Sequence, residues 1–332
     1  MFTSGASENT TLAINGTAWA ASARGRHLVT TVVEHRAVLN TCAVLERHGF
    51  EVTYLPVDRY GQVDPAAVGE AVGPFTTLVV IGYANNEVGS IQPVAEIGGL
   101  CRSLGVRLYL DATQAAGALP LDVDALQVDL LGIAAHKFEG PKGVGALFVR
   151  QGTNIIPQQQ GGSQERQRRA GTENVAGAVG LAEALRLVRA DPVRMASESE
   201  RQRALRDRLI GHLAAIPDGE LTGHPDARLP NSVSWVFRGA EGGDLVAALD
   251  LDGVAASTGS ACTSGSAEPS HVLAAIGVAP DLIRGSLRLT LGRTTTVEDV
   301  DRAAEVVTAS VARVRAAAEL APAGVATAPA RT

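Results

Sequence analysis

His27-Leu-Val-Thr-Thr-Val-Val33 is an unbroken run of apolar and β-branched residues, and such a run reads as a buried strand. Residues 36–48 follow it with Val38, Cys42 and Leu45 on one face of a helix, and Gly49 closes that helix. Residues 51–57 form a second strand. Strand, helix and strand in immediate succession predict a parallel crossover unit. The same alternation continues outward: a strand at 77–81, a helix at 93–104 with Pro93 in its first turn, then strands at 106–110, 130–134 and 144–149. The pattern predicts an α/β fold, a large domain whose mostly parallel sheet lies between helices.

Beyond residue 150 the pattern changes. Residues 172–190 read as a helix, and Asp191-Pro192 caps another that runs to residue 214. We therefore expect a large domain over 1–190 and a smaller α+β domain over 191–318. Strands are expected in the latter at 231–237, 254–257 and 286–291. Thr295-Thr-Val-Glu298 has the form of a capping box opening a last helix of about four turns. The Ala/Pro/Gly-rich tail, 319–332, reads as disordered.

Composition narrows the function. A net charge of −6, with a basic cluster only at Arg166, Arg168 and Arg169, argues against nucleic acid as a partner. No apolar run approaches a membrane span, and no signal peptide is visible. The three cysteines, Cys42, Cys101 and Cys262, have neither paired nor metal-ligand spacing, so free thiols in a reducing, cytoplasmic setting are expected and no intrinsic metal site. Of 29 basic residues only Lys137 and Lys142 are lysine. Arginine cannot replace an amine that must form an imine, which singles out a surviving lysine.

Four stretches carry candidate chemistry. Thr3-Ser-Gly-Ala-Ser-Glu8, before a helix, offers free N–H groups and hydroxyls suited to a phosphate, though alone it reads first as a capped surface turn. In Leu110-Asp-Ala-Thr-Gln114 a carboxylate follows a buried strand, where such sheets bind ligands; it could also simply cap the next helix. In Ala135-His-Lys-Phe-Glu-Gly-Pro-Lys-Gly143, Lys137 directly follows a strand, while Lys142 sits in a turn expected to face solvent. Ser257-Thr-Gly-Ser-Ala-Cys-Thr-Ser-Gly-Ser266 places Cys262 among glycines and hydroxyl residues rather than in an apolar element; it is either a loop thiol brought to a reaction centre or an incidental cysteine.

Together with Asn85-Asn-Glu-Val-Gly89, Arg169-Ala-Gly-Thr-Glu-Asn174 and Glu268-Pro-Ser270, these motifs stand in the order found in cysteine desulfurases of the NifS/IscS type, within the class V aminotransferases of pyridoxal-phosphate fold type I. The resemblance runs from Phe2 to about residue 316. It implies a pyridoxal 5'-phosphate enzyme that takes sulfur from L-cysteine, leaving L-alanine and a persulfide on Cys262. Lys137 would carry the cofactor, Asp111 its pyridinium nitrogen and Gln114 its phenolic oxygen. His35 would lie on the ring, assist proton transfer and serve as the base for the Cys262 thiol. Ala6 and Ser7 would contact the cofactor, Ser7 and His136 through its phosphate, with Thr172 reaching over from a second subunit of a homodimer. Asn86 and Arg288 would hold the substrate, Arg288 through its carboxylate. The resemblance further implies delivery of sulfur to acceptor or Fe–S scaffold proteins, with Cys262 as a transient Fe–S ligand. The other activities it allows are selenocysteine lyase, another activity of the class V aminotransferase type, or an inactive truncated homologue.

Two departures from the family pattern stand out. The family places further residues ahead of the Phe-Thr-Ser-Gly segment, whereas here Met1 directly precedes Phe2, so the sequence reads as lacking that part through truncation or a misassigned start. Ala134 stands where the family has a serine at the phosphate site; one lost hydrogen bond costs on the order of 1 kcal/mol and predicts weaker cofactor binding.

Overall fold

The structure, a computed structural model, describes residues 1–189, 191–259 and 269–320. Cys262 and the tail from Ala321 lie outside these described residues.

In chain order the elements are β1 (Phe2–Thr3), α1 (Ala6–Ala20), β2 (His27–Thr31), α2 (Arg36–Arg47), β3 (Glu51–Leu55), α3 (Pro65–Ala71), β4 (Thr76–Gly82), α4 (Val94–Leu104), β5 (Arg107–Asp111), β6 (Leu130–Ala134) and β7 (Gly145–Val149). After them come α5 (Gln164–Gln167), α6 (Val175–Arg189), α7 (Pro192–Leu213), β8 (Gly219–Leu221), β9 (Ser232–Phe237), α8 (Gly242–Leu251), α9 (His271–Ala275), α10 (Pro280–Ile283), β10 (Ser286–Thr290) and α11 (Val297–Leu320).

Among the described residues the first half forms a seven-stranded sheet in the order β1-β7-β6-β5-β4-β2-β3. Strands β3, β2, β4, β5 and β6 run parallel, and β7 and β1 close one edge antiparallel. Both faces are covered. Leu12, Ile14, Val38, Cys42 and Leu45 of α1 and α2 bury one face against Leu28, Leu78 and Leu130. Ile97, Cys101 and Leu181 of α4 and α6 bury the other against Val79, Ile81 and Leu110. Two-sided burial is why these strands are continuous apolar runs rather than alternating ones. The chain passes from β2 to β3 on one side and returns to β4 on the other, so the strand order reverses beside β2. A crevice at the carboxyl ends of the strands is the ligand position that such a reversal creates.

The second half folds around a three-stranded antiparallel sheet, β10-β9-β8, packed with α7, α8 and α11 around Trp235, Phe237, Leu245, Leu287 and Val307. The predicted strand at 254–257 does not form. The Val254 N–H closes the end of α8 on the Leu249 carbonyl, and only Ser257 meets the sheet, through a bridge to Arg288. The third strand is instead Gly219–Leu221. The last helix is longer than expected, at 24 residues, because Val300, Ala304, Val307, Val311 and Val314 keep one apolar face buried along its length. Its capping box lies one residue further on: Asp299 N–H donates to Thr296 Oγ1 at 3.2 Å and Thr296 N–H to Asp299 Oδ2 at 2.9 Å.

Candidate active site

Four consecutive strand ends deliver side chains to one cavity of about 580 Å³. β2 runs into Glu34 and His35, β4 into Ala84, Asn85 and Asn86, β5 ends on Asp111, and β6 leads directly to His136 and Lys137. The start of α1 forms another wall with Gly5, Ala6 and Ser7, and Arg288 enters from β10. Ala6, Ser7, His35, Asn86, Asp111, Gln114, His136, Lys137 and Arg288 thus all line the same space.

Each is held by local structure. Lys137 sits in a short 3-10 turn, Ala135–Lys137, whose Ala135 carbonyl accepts the N–H groups of both Phe138 and Gly140. Gly140 crosses so near this turn that a Cβ would lie 2.8 Å from that of Ala135, so the loop depends on glycine there. Asp111 Oδ1 accepts the N–H of Thr113 at 3.0 Å. Asn85 builds the adjoining turn, accepting the N–H groups of Glu87 and Val88 and donating to the Val33 carbonyl at 2.9 Å. Arg288 Nη1 donates to the Asn86 carbonyl at 2.7 Å, which ties the second sheet to this turn.

The start of α1 has no side-chain cap. Its first N–H groups are therefore directed to the cavity wall without a carboxylate or hydroxyl of their own, an arrangement that attracts anions. Glu8 does not fill that role; it accepts the Ser4 N–H at 2.7 Å and pairs with Arg169 at 2.8 Å, pinning the 164–171 segment beside the helix start.

His35 is the N-cap of α2, with Nδ1 accepting the Ala37 N–H at 3.0 Å. In the neutral ring the proton then resides on Nε2, so the imidazole is a donor rather than a base at that atom. Burial, opposed by Asp111 and reinforced by the positive Lys137 amine, holds its pKa below the ordinary value and favours this neutral form. His136 is also depressed, by burial and then by Lys137 and Lys142.

Three placements differ from the sequence reading or go beyond it. Lys142 is exposed, as expected, and in addition borders the cavity. Thr172 is exposed and does not line the cavity within this chain. Glu34 was not singled out by sequence: it is fully buried, its Oε1 accepts the Thr31 hydroxyl at 2.9 Å, and burial raises its carboxyl to about 7. An acid directly after an apolar strand and next to His35 was the signal available. Ala134 is buried within β6 and does not line the cavity. A second cavity, of about 550 Å³, meets the first at Asn86, Gln114, His136, Lys137 and Arg288. Among the described residues no cluster of side chains suits a metal ion.

The cavity lining thus combines an anion site at a helix start, a carboxylate, an imidazole, a primary amine and a guanidinium. This set fits a ligand with a phosphate at one end, a basic aromatic ring and a carbonyl reactive towards an amine.

Comparison with known proteins agrees with the geometry. The pattern of the family described as Aminotransferase class-V matches residues 1–303. Cysteine desulfurase IscS of Methanosarcina thermophila is 51% identical over 322 residues, covering 97% of this chain and 79% of that protein. A solved NifS-like protein superposes with a TM-score of 0.87 at 34% identity, covering 94% of this chain and 82% of the other. A structure described as SspA in complex with cysteine gives 0.75 at 32% identity, covering 89% and 82%.

Proposed function

The chain belongs to the Aminotransferase class-V family, and on that premise we propose that it is a pyridoxal-phosphate-dependent cysteine desulfurase, which converts L-cysteine to L-alanine and retains the sulfur as a persulfide on Cys262. The observation that carries the reading is the convergence of Lys137, Asp111, His35, Arg288 and the uncapped start of α1 on one cavity.

The cofactor's phosphate would be held by the first N–H groups of α1, by Ser7 and by His136. Asp111 would pair with the ring nitrogen, Gln114 with the phenolic oxygen, and Lys137 Nζ with the aldehyde carbon. When bound, the group supplies an electron sink that weakens bonds at the Cα and Cβ of the amino acid attached to it.

The remaining work falls to the chain. Arg288 takes the substrate carboxylate, and its contact with the Asn86 carbonyl orients the guanidinium before substrate arrives. Lys137 Nζ is the group that takes the Cα proton. His35 presents Nε2–H as a hydrogen-bond donor. Cys262, as thiolate, attacks the substrate sulfur: an S–S bond forms, the substrate's S–Cβ bond breaks, the electron pair left on Cβ takes a proton, and the proton held by Lys137 returns to Cα to complete alanine.

The same reading includes a homodimer. Thr172 is exposed three residues before α6, whose Val175 and Val179 are exposed as well, and a second copy covering that face would bring Thr172 to the partner's phosphate site. Sulfur-acceptor or Fe–S scaffold proteins would then collect the persulfide sulfur. Among the described residues no helix is long and apolar enough to cross a membrane. A cytoplasmic setting belongs to the proposed reading.

Incubating the cofactor-loaded protein with L-cysteine and a reducing thiol tests the reading. Alanine and sulfide should appear in equal amounts. A protein that binds the cofactor and releases no alanine would refute it, and release from selenocysteine alone would make it a lyase for that substrate.

A further inference from the structure

Two consecutive residues, Ser270 just ahead of α9 and His271 at its first position, tie that helix to the two loops that wall the cavity. The Ser270 hydroxyl donates to Glu87 Oε2 at 2.5 Å, and both residues are buried, at 5% and 4% exposure. The same hydroxyl accepts the Leu273 N–H at 3.1 Å, so it caps α9 while tethering it. Glu87 belongs to the turn whose Asn86 carbonyl holds Arg288. His271 Nε2 lies 3.0 Å from the Glu34 carbonyl, in the loop that carries His35. A carbonyl only accepts, so this ring carries its proton on Nε2. Val272, Leu273 and Ile276 then pack with Val33 and Val88, one valine from each of the two loops. Apolar contact, one buried polar contact and one partly buried polar contact together fix α9 on the loops of the large sheet.

The strand of Arg288 is reached by a different set of contacts. Ser257 exchanges backbone bonds with Arg288, at 3.2 and 2.7 Å, and the Gly259 N–H donates to Ser286 Oγ at 3.3 Å. The described residues thus stop at Gly259 beside the strand of Arg288 and resume at Pro269 beside Glu87, with Cys262 between them in the sequence.

We propose that Glu87 and Ser270 are positioning residues for sulfur transfer: their buried hydrogen bond sets the downstream anchor from which Cys262 meets the substrate held by Arg288. The proposal rests on the reading of Cys262 as sulfur acceptor. A buried hydrogen bond to a carboxylate is among the stronger neutral-to-charged contacts, and misplacing a reacting group by about 1 Å can cost on the order of 10²-fold in rate.

Glu87→Leu removes the acceptor and leaves the Ser270 cap on Leu273 in place; Ser270→Ala removes the donor. In the holoenzyme two quantities are read in a single turnover with L-cysteine: the cofactor absorbance change against substrate concentration, and the rate at which the Cys262 peptide gains one sulfur. Each variant should slow persulfide formation about tenfold or more while the concentration giving half the absorbance change stays within about twofold. The double variant should be no slower than either single one, and Ser270→Thr should recover the rate. Unchanged persulfide formation in the variants, or a loss that follows substrate binding in proportion, overturns the clasp alone. Absence of persulfide on Cys262 in the unmodified protein overturns the underlying reading, and the clasp with it.

Discussion

His35 closes the N-terminus of α2 with its own ring, Nδ1 accepting the backbone N–H of Ala37 at 3.0 Å. One residue thus caps a helix and presents an imidazole to the cavity in a fixed tautomer. The two tasks are separable. His35→Asn keeps a capping side chain and should lower stability by less than about 1 kcal/mol, whereas His35→Ala should lose about 1 kcal/mol more. Both should weaken cofactor binding alike, because both lose the ring. Thermal melts paired with cofactor titrations check this, and equal stability of the two variants would contradict the capping role.

Lys137 follows β6 and reaches the cavity through a turn that Gly140 permits. Lys137→Ala and Lys137→Arg should both lose the near-visible absorbance of lysine-linked cofactor, since a guanidinium does not form the imine. Lys142→Ala should keep it. An unchanged spectrum in Lys137→Arg would remove Lys137 from its role.

Glu34 makes stability depend on pH in a defined direction. Its carboxyl is raised from 4.5 to about 7 by burial, so between these values the folded state holds a proton that the unfolded chain has released. Stability from this group is complete below pH 4.5 and is lost as pH rises through 7, a change on the order of 3 kcal/mol. Glu34→Gln should abolish that loss. Denaturation of cofactor-free protein at pH 5 and pH 8 measures it: the variant should gain on the unmodified protein as pH rises, and a constant difference would refute the assignment.

Arg288, with Nη1 held by the Asn86 carbonyl, is the residue proposed to grip the substrate carboxylate. Arg288→Lys keeps the charge and loses the fork, so KM for L-cysteine should rise about tenfold or more, with the cofactor spectrum unaltered. Steady-state kinetics with the unliganded spectrum as control decide it.

Much of this was legible in the sequence, for a physical reason. Strands buried on both faces are continuous apolar runs, and the residue after each run is placed at a sheet edge, so Asp111 and Lys137 could be located before any coordinates. Val38, Cys42 and Leu45 marked the inner face of α2 by spacing alone. Other features carried no such mark. The short strand Gly219–Leu221 has no apolar run, and Val254, apolar as it is, closes a helix instead of joining a sheet. Glu34 and Glu87 look like surface acids in a sequence, because burial of a carboxylate depends on what tertiary contacts bring to it. The partner of Glu87 lies 183 residues away at Ser270. No local pattern could have joined them.

The central claim is that sulfur leaves L-cysteine for one thiol of this chain. A single turnover of the holoenzyme with sulfur-labelled L-cysteine, followed by mass analysis of the alkylated peptides, tests it most directly. One alanine per cofactor and one labelled sulfur on the Cys262 peptide, both lost in Cys262→Ser while cofactor absorbance persists, is the predicted result. Label on Cys42 or Cys101 instead, or full persulfide formation by Cys262→Ser, would contradict it.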